Sequence, residues 1–144
     1  MTTLDTPATL LVVDDDPFVR DLIALVLEDE GYTVVCAANH AEARQLAQTH
    51  CPAIILMDLS IPGLQGKDLI AAYRQIPSLG ASIILISGRS NLERFATEVD
   101  VEGHLAKPFD VEILASLVNR VISERSRRSL EMIPSTACVL CPVQ

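Results

Sequence analysis

Residues 53–66, AIILMDLSIPGLQG, decide the fold because they place a carboxylate directly after a buried strand. Four large apolar residues, Ile54 to Met57, are followed at once by Asp58, and the turn formers Pro62 and Gly66 come four and eight residues later. An apolar run of this length without alternating polar positions is typical of a parallel strand covered on both faces. The carboxyl ends of such strands form the edge at which α/β sheets bind ligands. We therefore expect Asp58 to lie at a functional edge of a sheet.

Similar apolar stretches recur along the chain, and segments with helical spacing separate them. The predicted strands are residues 10–13, 34–37, 53–57, 83–86 and, less regularly, 101–106. The predicted helices are residues 16–31, 39–52, about 65–76, about 91–99 and one that starts at Asp110 and has a basic end at Arg125, Arg127 and Arg128. This strict alternation predicts an α/β fold in which a doubly wound sheet of five parallel strands is joined by right-handed crossovers.

The length and charge of the chain restrict its function. A chain of 144 residues suits one domain with one core. Its formal net charge is −8, from 11 basic and 19 acidic residues, so it repels phosphate backbones and anionic lipids. We expect no direct nucleic acid binding. No stretch approaches the roughly 18 apolar residues that span a bilayer, and the first residues lack a signal-peptide pattern, which predicts no membrane insertion and a cytoplasmic location.

The C-terminal residues 127–144 lose all periodicity and are predicted to form a flexible tail after a domain at residues 8–126. The alternative is a docking peptide, because Val139, Leu140 and Val143 could pack on a partner. The four cysteines, Cys36, Cys51, Cys138 and Cys141, are interpreted as small, buried apolar residues. The last two have the spacing of a redox or metal pair, but the second pair or nearby histidine of a zinc site is missing.

Polar side chains also follow the other predicted strands. Asp14 and Asp15 end the first strand, Ser87 the fourth and Lys107 the fifth. Because the carboxyl ends of parallel strands share one edge, these groups should meet Asp58 there. Three neighbouring carboxylates favour a divalent cation, and Mg²⁺ fits because this edge offers only oxygen ligands.

A carboxylate, a bound Mg²⁺ and a fixed ammonium are the parts that phosphoryl transfer needs. Asp58 is the candidate nucleophile and Lys107 the positive charge on the transferred group. Ser87 would donate a hydrogen bond to a phosphoryl oxygen, and Gly88 leaves the approach open. Each residue alone has an ordinary structural alternative, such as a cap, a turn or a solvated loop charge. Asp16, directly before Pro17, is better explained as a helix cap.

Four motifs make the chain similar to a known family. They are LVVDDDP at 11–17, MDLSIPG at 57–63 with Gly66, LISG at 85–88 and AKPF at 106–109. In this order they resemble the receiver domain of two-component response regulators over about residues 8–126. The resemblance implies a flavodoxin-like (βα)5 fold with strand order 2-1-3-4-5.

The resemblance also implies roles for the residues at the sheet edge. Asp14 and Asp15 would hold Mg²⁺ with Asp58, which is the phosphoacceptor. Ser60, two residues further on, would offer its backbone carbonyl to the metal. Lys107 would contact the phosphoryl group.

Ser87 corresponds to the switch hydroxyl of the family, and Pro108 to the proline after a cis peptide bond. The resemblance implies that the side chains of Arg89 and Ser60 border the path of the attacking water and, with Gly88 next to them, tune the lifetime of the phosphorylated state. A solvated loop arginine is the alternative for Arg89. The family usually has Tyr or Phe three residues before the lysine, where this chain has His104. An imidazole at this switch position would make signalling sensitive to pH, and a surface histidine without a switch role is the alternative.

The resemblance implies a single-domain response regulator. It would take a phosphoryl group from a histidine kinase or a histidine phosphotransfer protein and bind a downstream protein through its fourth helix, fifth strand and fifth helix. A homodimer through the same face is a further expectation. The chain would catalyse only its own phosphorylation and slow autodephosphorylation. The alternatives are an adaptor that works without phosphorylation and an aspartyl-phosphate phosphohydrolase, although Ser60 stands where such an enzyme needs an acid-base aspartate.

Overall fold

The computed structural model describes residues 8–63, 65–76 and 80–132. The strands are β1 (Thr9–Val13), β2 (Thr33–Ala37), β3 (Ile54–Asp58), β4 (Ser82–Ser87) and β5 (Gly103–Ala106). The helices are α1 (Pro17–Asp29), α2 (His40–His50), α3 (Gly66–Arg74), α4 (Leu92–Val99) and α5 (Val111–Met132). Each strand is followed by a helix, which confirms the predicted α/β class.

The five strands form one parallel sheet in the order β2-β1-β3-β4-β5. The doubly wound, flavodoxin-like arrangement is therefore confirmed. The chain leaves β1 toward one edge of the sheet and later continues from β3 toward the other. The point of reversal lies between the carboxyl ends of β1 and β3, which is where ligands bind in open α/β sheets. Asp14 and Asp58 come from these two strand ends.

The central strands are buried on both faces because helices cover the sheet on both sides. Alternate residues of each strand point to opposite faces. Leu11, Ile55 and Leu85 belong to one apolar cluster, which includes residues of α2, α3 and α4. Leu10 and Ile54 belong to the other, which includes residues of α1 and α5. This two-sided burial explains why the strands appear in the sequence as continuous apolar runs.

Side-chain caps start both α1 and α2, and the cap on α1 is the predicted one. Asp16 accepts a hydrogen bond from the N–H of Phe18 at 2.9 Å and thereby caps α1. Asn39 accepts from the N–H of Glu42 at 2.8 Å, and the Glu42 carboxylate accepts from the N–H of Ala38 at 2.9 Å. The second start is thus a capping box in which the glutamate reaches one residue further back than usual. Both caps fix where the chain turns away from the sheet edge.

The structure differs from the sequence prediction at several element ends. The fifth strand starts at Gly103 instead of residue 101, because Val101 and Glu102 bring the chain from α4 to the sheet. The fifth helix continues to Met132, so the predicted boundary between residues 126 and 127 falls inside a helix. Arg125 supports this extension by donating to the carbonyl of Gly80 at 3.0 Å. The rest of the predicted tail, with its CxxC pair and its apolar docking residues, lies outside the described residues.

The cysteines that the structure describes are less buried than the sequence suggested. Cys36 on β2 and Cys51 at the end of α2 are both half-buried. Cys36 packs against the apolar cluster on the side of α1 and α5. Burial raises the pKa of its thiol, which keeps it in the unreactive protonated form. Within the described ranges, none of the helices is long and apolar enough to cross a bilayer.

Candidate functional site

Asp58 is the last residue of β3 and is buried at the carboxyl edge of the sheet, with 2% of its surface exposed. Its Oδ1 accepts two hydrogen bonds from Ser60, one from the backbone N–H at 3.0 Å and one from the hydroxyl at 2.9 Å. Its Oδ2 accepts a hydrogen bond from the ammonium of Lys107 at 3.0 Å. Both oxygens of the Asp58 carboxylate are therefore held in place.

Lys107 follows β5 and joins Asp58 to Asp14. Its ammonium also donates to Oδ2 of Asp14 at 3.0 Å. Its backbone N–H donates to the carbonyl of Ser87 at 2.9 Å, which fixes the loop against the end of β4. The peptide bond to Pro108 is cis, as the resemblance implies. One ammonium thus bridges two buried carboxylates from two different strands.

Asp14 and Asp15 follow β1 and differ in exposure. Asp14 is 1% exposed, and its Oδ1 accepts from the N–H of Asp16 at 2.9 Å, while Asp15 faces solvent. The guanidinium of Arg20 donates to the carbonyl of Asp14 at 2.8 Å and holds the turn into α1. Carboxylate oxygens of Asp14, Asp15 and Asp58 lie within 4.8 Å of one another. The structure therefore brings together the three carboxylates that the sequence predicted.

This cluster fits a hard divalent cation. All three ligand atoms are carboxylate oxygens, the type that Mg²⁺ prefers, and the exposed Asp15 leaves room for the waters that Mg²⁺ retains. Receiver domains generally bind Mg²⁺ at such an acidic pocket. The N–H and hydroxyl of Ser60 both face Asp58. The role of its carbonyl as a metal ligand stays a prediction.

Burial and hydrogen bonding act in opposite directions on the charged groups of the cluster. Burial raises the pKa of Asp14, and the hydrogen bonds from Asp16 and Lys107 offset this only in part. Burial also acts to raise the pKa of Asp58, but the hydrogen bonds from Ser60 and Lys107 outweigh it and lower the pKa overall. Burial acts to lower the pKa of Lys107, and its contacts with Asp58 and Asp14 raise it overall. Asp58 is therefore ionised at neutral pH, as a nucleophilic carboxylate must be.

Ser87 ends β4 one residue beyond the partner of Asp58 in the sheet register, and it is buried. Its hydroxyl accepts a hydrogen bond from the N–H of Arg89 at 3.1 Å. A Cβ atom at Gly88, the next residue, would meet nothing within 4 Å. The guanidinium of Arg89 lies over the ring of Phe95 on α4, 5.4 Å from its centroid. The switch role of Ser87 and the tuning roles of Gly88 and Arg89 stay predictions.

His104 lies in β5, where its side chain is exposed while its neighbours Gly103 and Leu105 are buried. Its register partner in the sheet is Leu85 of β4. The imidazole is thus accessible to another protein on the side of the sheet that α4 and α5 flank. Its role as a switch stays a prediction.

Sequence reasoning missed a histidine beside the loop that follows Asp58. Nδ1 of His40 lies 2.8 Å from the hydroxyl of Tyr73, and the two rings meet edge to face. A Cβ atom at Gly63 would lie 3.8 Å from Cδ2 of His40, so the imidazole also borders this loop. Burial lowers the pKa of His40, and the charge of Asp58 acts against this. No local pattern in the sequence indicates that His40 meets Tyr73, a residue 33 positions away.

Comparison with known proteins agrees with this geometry. Residues 10–119 match the family model of the response regulator receiver domain. The chain belongs to this family. It is therefore a receiver domain of the two-component type, with the phosphoacceptor role of the family, and receiver domains interact with histidine kinases or phosphotransfer proteins.

Individual relatives show how much of this receiver domain is shared. An uncharacterized 14.6 kDa protein in the sodA1 3′ region of Leptolyngbya boryana is 35% identical over 77% of this chain and 87% of the relative. Sporulation initiation phosphotransferase F of Bacillus subtilis is 29% identical over 81% of this chain and 95% of the relative. The chain spans only about half the length of other curated relatives that it matches, 55% and 48% in two cases.

Among solved structures, the chemotaxis response regulator CheY4 of Vibrio cholerae is similar over 81% of this chain and 99% of that one. The TM-score is 0.72 and the sequence identity is 31%. The five-stranded order and the positions of the five helices are those of this fold, which confirms the architecture that the four sequence motifs implied.

Proposed function

We propose that this receiver domain takes a phosphoryl group from a histidine kinase or a histidine phosphotransfer protein onto Asp58. The observation that carries the proposal is the ammonium of Lys107, which lies 3.0 Å from Oδ2 of both Asp14 and Asp58. From this position the ammonium can contact the phosphoryl oxygens once Asp58 is phosphorylated. It also lowers the pKa of Asp58 and so keeps the nucleophile ionised.

In the transfer, a carboxylate oxygen of Asp58 forms a bond to phosphorus as the bond from phosphorus to the donor's histidine nitrogen breaks. The residues of this chain supply position and charge for that displacement. Ser60 and Lys107 hold the carboxylate, and Ser87, at the end of the neighbouring strand β4, would donate to a phosphoryl oxygen. Mg²⁺, held by Asp14, Asp15, Asp58 and the carbonyl of Ser60, would neutralise the charge on the transferred group.

The surface of α1 supports docking of the phosphodonor beside this site. Phe18, Leu22 and Leu25 are exposed by 86%, 43% and 67%, which is unusual for large apolar side chains. They are four and three residues apart and therefore lie along one face of the helix. This apolar stripe of Phe18, Leu22 and Leu25 starts three residues after Asp15, at the end of α1 that lies next to the carboxylates. We propose that it packs against the helix that carries the donor histidine.

The signal would leave through the edge of the sheet that β5 forms. The exposed His104 of β5 lies between α4 and α5, and we propose this face as the binding site for a downstream protein or for a second copy of the chain. We propose that catalysis is limited to self-phosphorylation and slow autodephosphorylation, because Ser60 occupies the position two residues after Asp58 at which an aspartyl-phosphate phosphohydrolase needs an acid-base aspartate. A cytoplasmic location stays part of the proposal.

Phosphotransfer from purified, autophosphorylated histidine kinases tests this function. We expect label to move to the chain only with Mg²⁺ present and to be absent from Asp58→Asn. Asp68→Asn, an exposed aspartate in the first turn of α3, is the matched control and should accept label normally. Leu25→Ala should slow transfer from the kinase and leave phosphorylation by a small phosphodonor unchanged. Label on Asp58→Asn equal to that on the unaltered protein would contradict the proposal.

A further inference from the structure

We propose that Arg89 connects the phosphorylation site to α4 by a route that does not pass through His104. The inference rests on the proposed function, since it concerns what happens when Asp58 carries a phosphoryl group. Arg89 makes one contact with its backbone, to Ser87 at the end of β4, and another with its side chain, to Phe95 of α4.

The backbone contact joins Arg89 to the site. Its N–H donates to the hydroxyl oxygen of Ser87 at 3.1 Å, and Ser87 is 1% exposed. A serine side chain moves between staggered rotamers, so turning the hydroxyl toward a phosphoryl oxygen on Asp58 carries Oγ away from this N–H. The loop would then lose the hydrogen bond that fixes it in the unphosphorylated protein.

The side-chain contact joins Arg89 to α4. Its guanidinium lies over the ring of Phe95 at 5.4 Å from the centroid, within the range of a cation–π contact. Phe95 is only 7% exposed and belongs to the apolar cluster that also includes Leu92, Ala96 and Val99 of the same helix. A shift of the loop at Arg89 therefore acts directly on the buried face of α4.

The two ends of α4 are held differently. At the C-terminal end, the guanidinium of Arg74 donates to the carbonyls of Val99 and Asp100, both at 2.8 Å. At the N-terminal end, Asn91 makes no side-chain hydrogen bond to the helix. Among the described residues, the contact of the Arg89 guanidinium with Phe95 therefore takes the place of a side-chain cap at the N-terminal end of α4. Its release would let the first turn of α4 move while Arg74 keeps the last turn in place.

This connection would transmit the signal from Ser87 to α4 without a contribution from His104. The family places an aromatic ring where this chain has an exposed imidazole, and His104 makes no hydrogen bond to Ser87 among the described residues. Ser87 is instead bonded to Arg89. The two-state element that transmits the signal is therefore the loop from Ser87 to Arg89 together with the first turn of α4.

The test compares amide NMR spectra of the ¹⁵N-labelled chain before and after addition of beryllofluoride with Mg²⁺, a mimic of the phosphoryl group. Arg89→Gln removes the stacked charge and leaves the backbone N–H that bonds to Ser87. Arg94→Gln is the matched control, because Arg94 is an exposed arginine of α4, one residue before Phe95. Phe95→Leu removes the aromatic face from the other side and keeps an apolar residue in the core.

In the unaltered protein and in Arg94→Gln, we expect shifts both at the amides around Asp58 and in the first turn of α4. In Arg89→Gln, the shifts around Asp58 remain and those of α4 fall by roughly twofold or more. Phe95→Leu should behave in the same way. Shifts in α4 that equal those of the unaltered protein in Arg89→Gln would overturn the inference, and so would an equal loss in Arg94→Gln. No shift around Asp58 in any variant or in the unaltered protein would instead reject the proposed function, and the inference with it.

Discussion

Replacing Lys107 by Met removes one ammonium and keeps the length and apolar stem of the side chain. Without a metal ion, the change leaves two buried carboxylates facing each other with no positive charge between them. The ammonium lies 3.0 Å from each of them. At an effective dielectric constant of about 20, each of these contacts has a gross attraction of roughly 5 kcal/mol.

The net loss of stability is smaller than this gross attraction. The ammonium and both carboxylates give up hydration when the protein folds, and the side chain of Lys107 is 26% exposed, so water screens it. Breaking a buried ion pair costs about 3–5 kcal/mol, and the exposure places this site near the lower end, at about 3 kcal/mol. With a urea slope of about 2 kcal/mol per molar, the unfolding midpoint should fall by roughly 1.5 M.

The effect of pH has a definite sign. Lys107 stabilises Asp58 only in the ionised form. Burial acts to raise the folded-state pKa of Asp58, but the hydrogen bonds from Ser60 and Lys107 outweigh it and hold that pKa below the ordinary value of 3.8. The stabilisation is therefore complete above that value and is lost as the pH falls through the folded-state pKa. The difference in stability between Lys107→Met and the unaltered protein should be largest near neutral pH and should shrink in acid.

Urea unfolding with a chelator present, followed by far-UV circular dichroism at several pH values, measures this difference. Lys67→Met, which removes an exposed lysine of α3, is the control and should change the midpoint little. Mg²⁺ should narrow the gap, because a bound cation replaces the missing positive charge. A loss below about 1 kcal/mol at neutral pH, or one that stays constant down to acid pH, would refute the reasoning.

Other contacts make smaller, local predictions. Tyr73→Phe should destabilise the fold by about 1–2 kcal/mol, because it removes the hydrogen-bond partner of Nδ1 of His40. The buried Nε2 of His40 already has no partner among the described residues. A urea midpoint equal to that of the unaltered protein would contradict this expectation. Asp16→Ala should cost about 1 kcal/mol through loss of the cap on α1, seen as faster amide exchange in the first turn, whereas Asp16→Asn should retain most of the cap.

The sheet and its functional edge could be predicted because the signals are local. A buried parallel strand appears as an apolar run, and the residue after it lies at the carboxyl edge whatever the rest of the chain does. Asp14, Asp58, Ser87 and Lys107 were all found in this way. The caps at Asp16 and Asn39 are equally local, since each bonds to an amide two or three residues later.

The features that the sequence did not predict depend on contacts between distant residues or on which polar group of one residue makes the contact. His40 meets Tyr73 across two helices, and Arg89 stacks on Phe95 through a loop whose path the sequence pattern does not specify. Ser60 was considered for its carbonyl, but its hydroxyl contacts Asp58. The basic residues Arg125, Arg127 and Arg128 predict the end of the fifth helix because basic side chains are typical of a last helical turn. The helix instead continues to Met132, and Arg125 contacts the carbonyl of Gly80.

Phosphorylation of Asp58 is the central claim, and intact-protein mass spectrometry with a small phosphodonor such as acetyl phosphate tests it most directly. With Mg²⁺, the chain should gain the mass of one phosphoryl group, and a chelator should prevent the gain. Asp58→Asn should show no gain, while Asp68→Asn should behave like the unaltered protein. A phosphoryl adduct of equal yield on Asp58→Asn, or the absence of any adduct on the unaltered protein with Mg²⁺, would contradict the account.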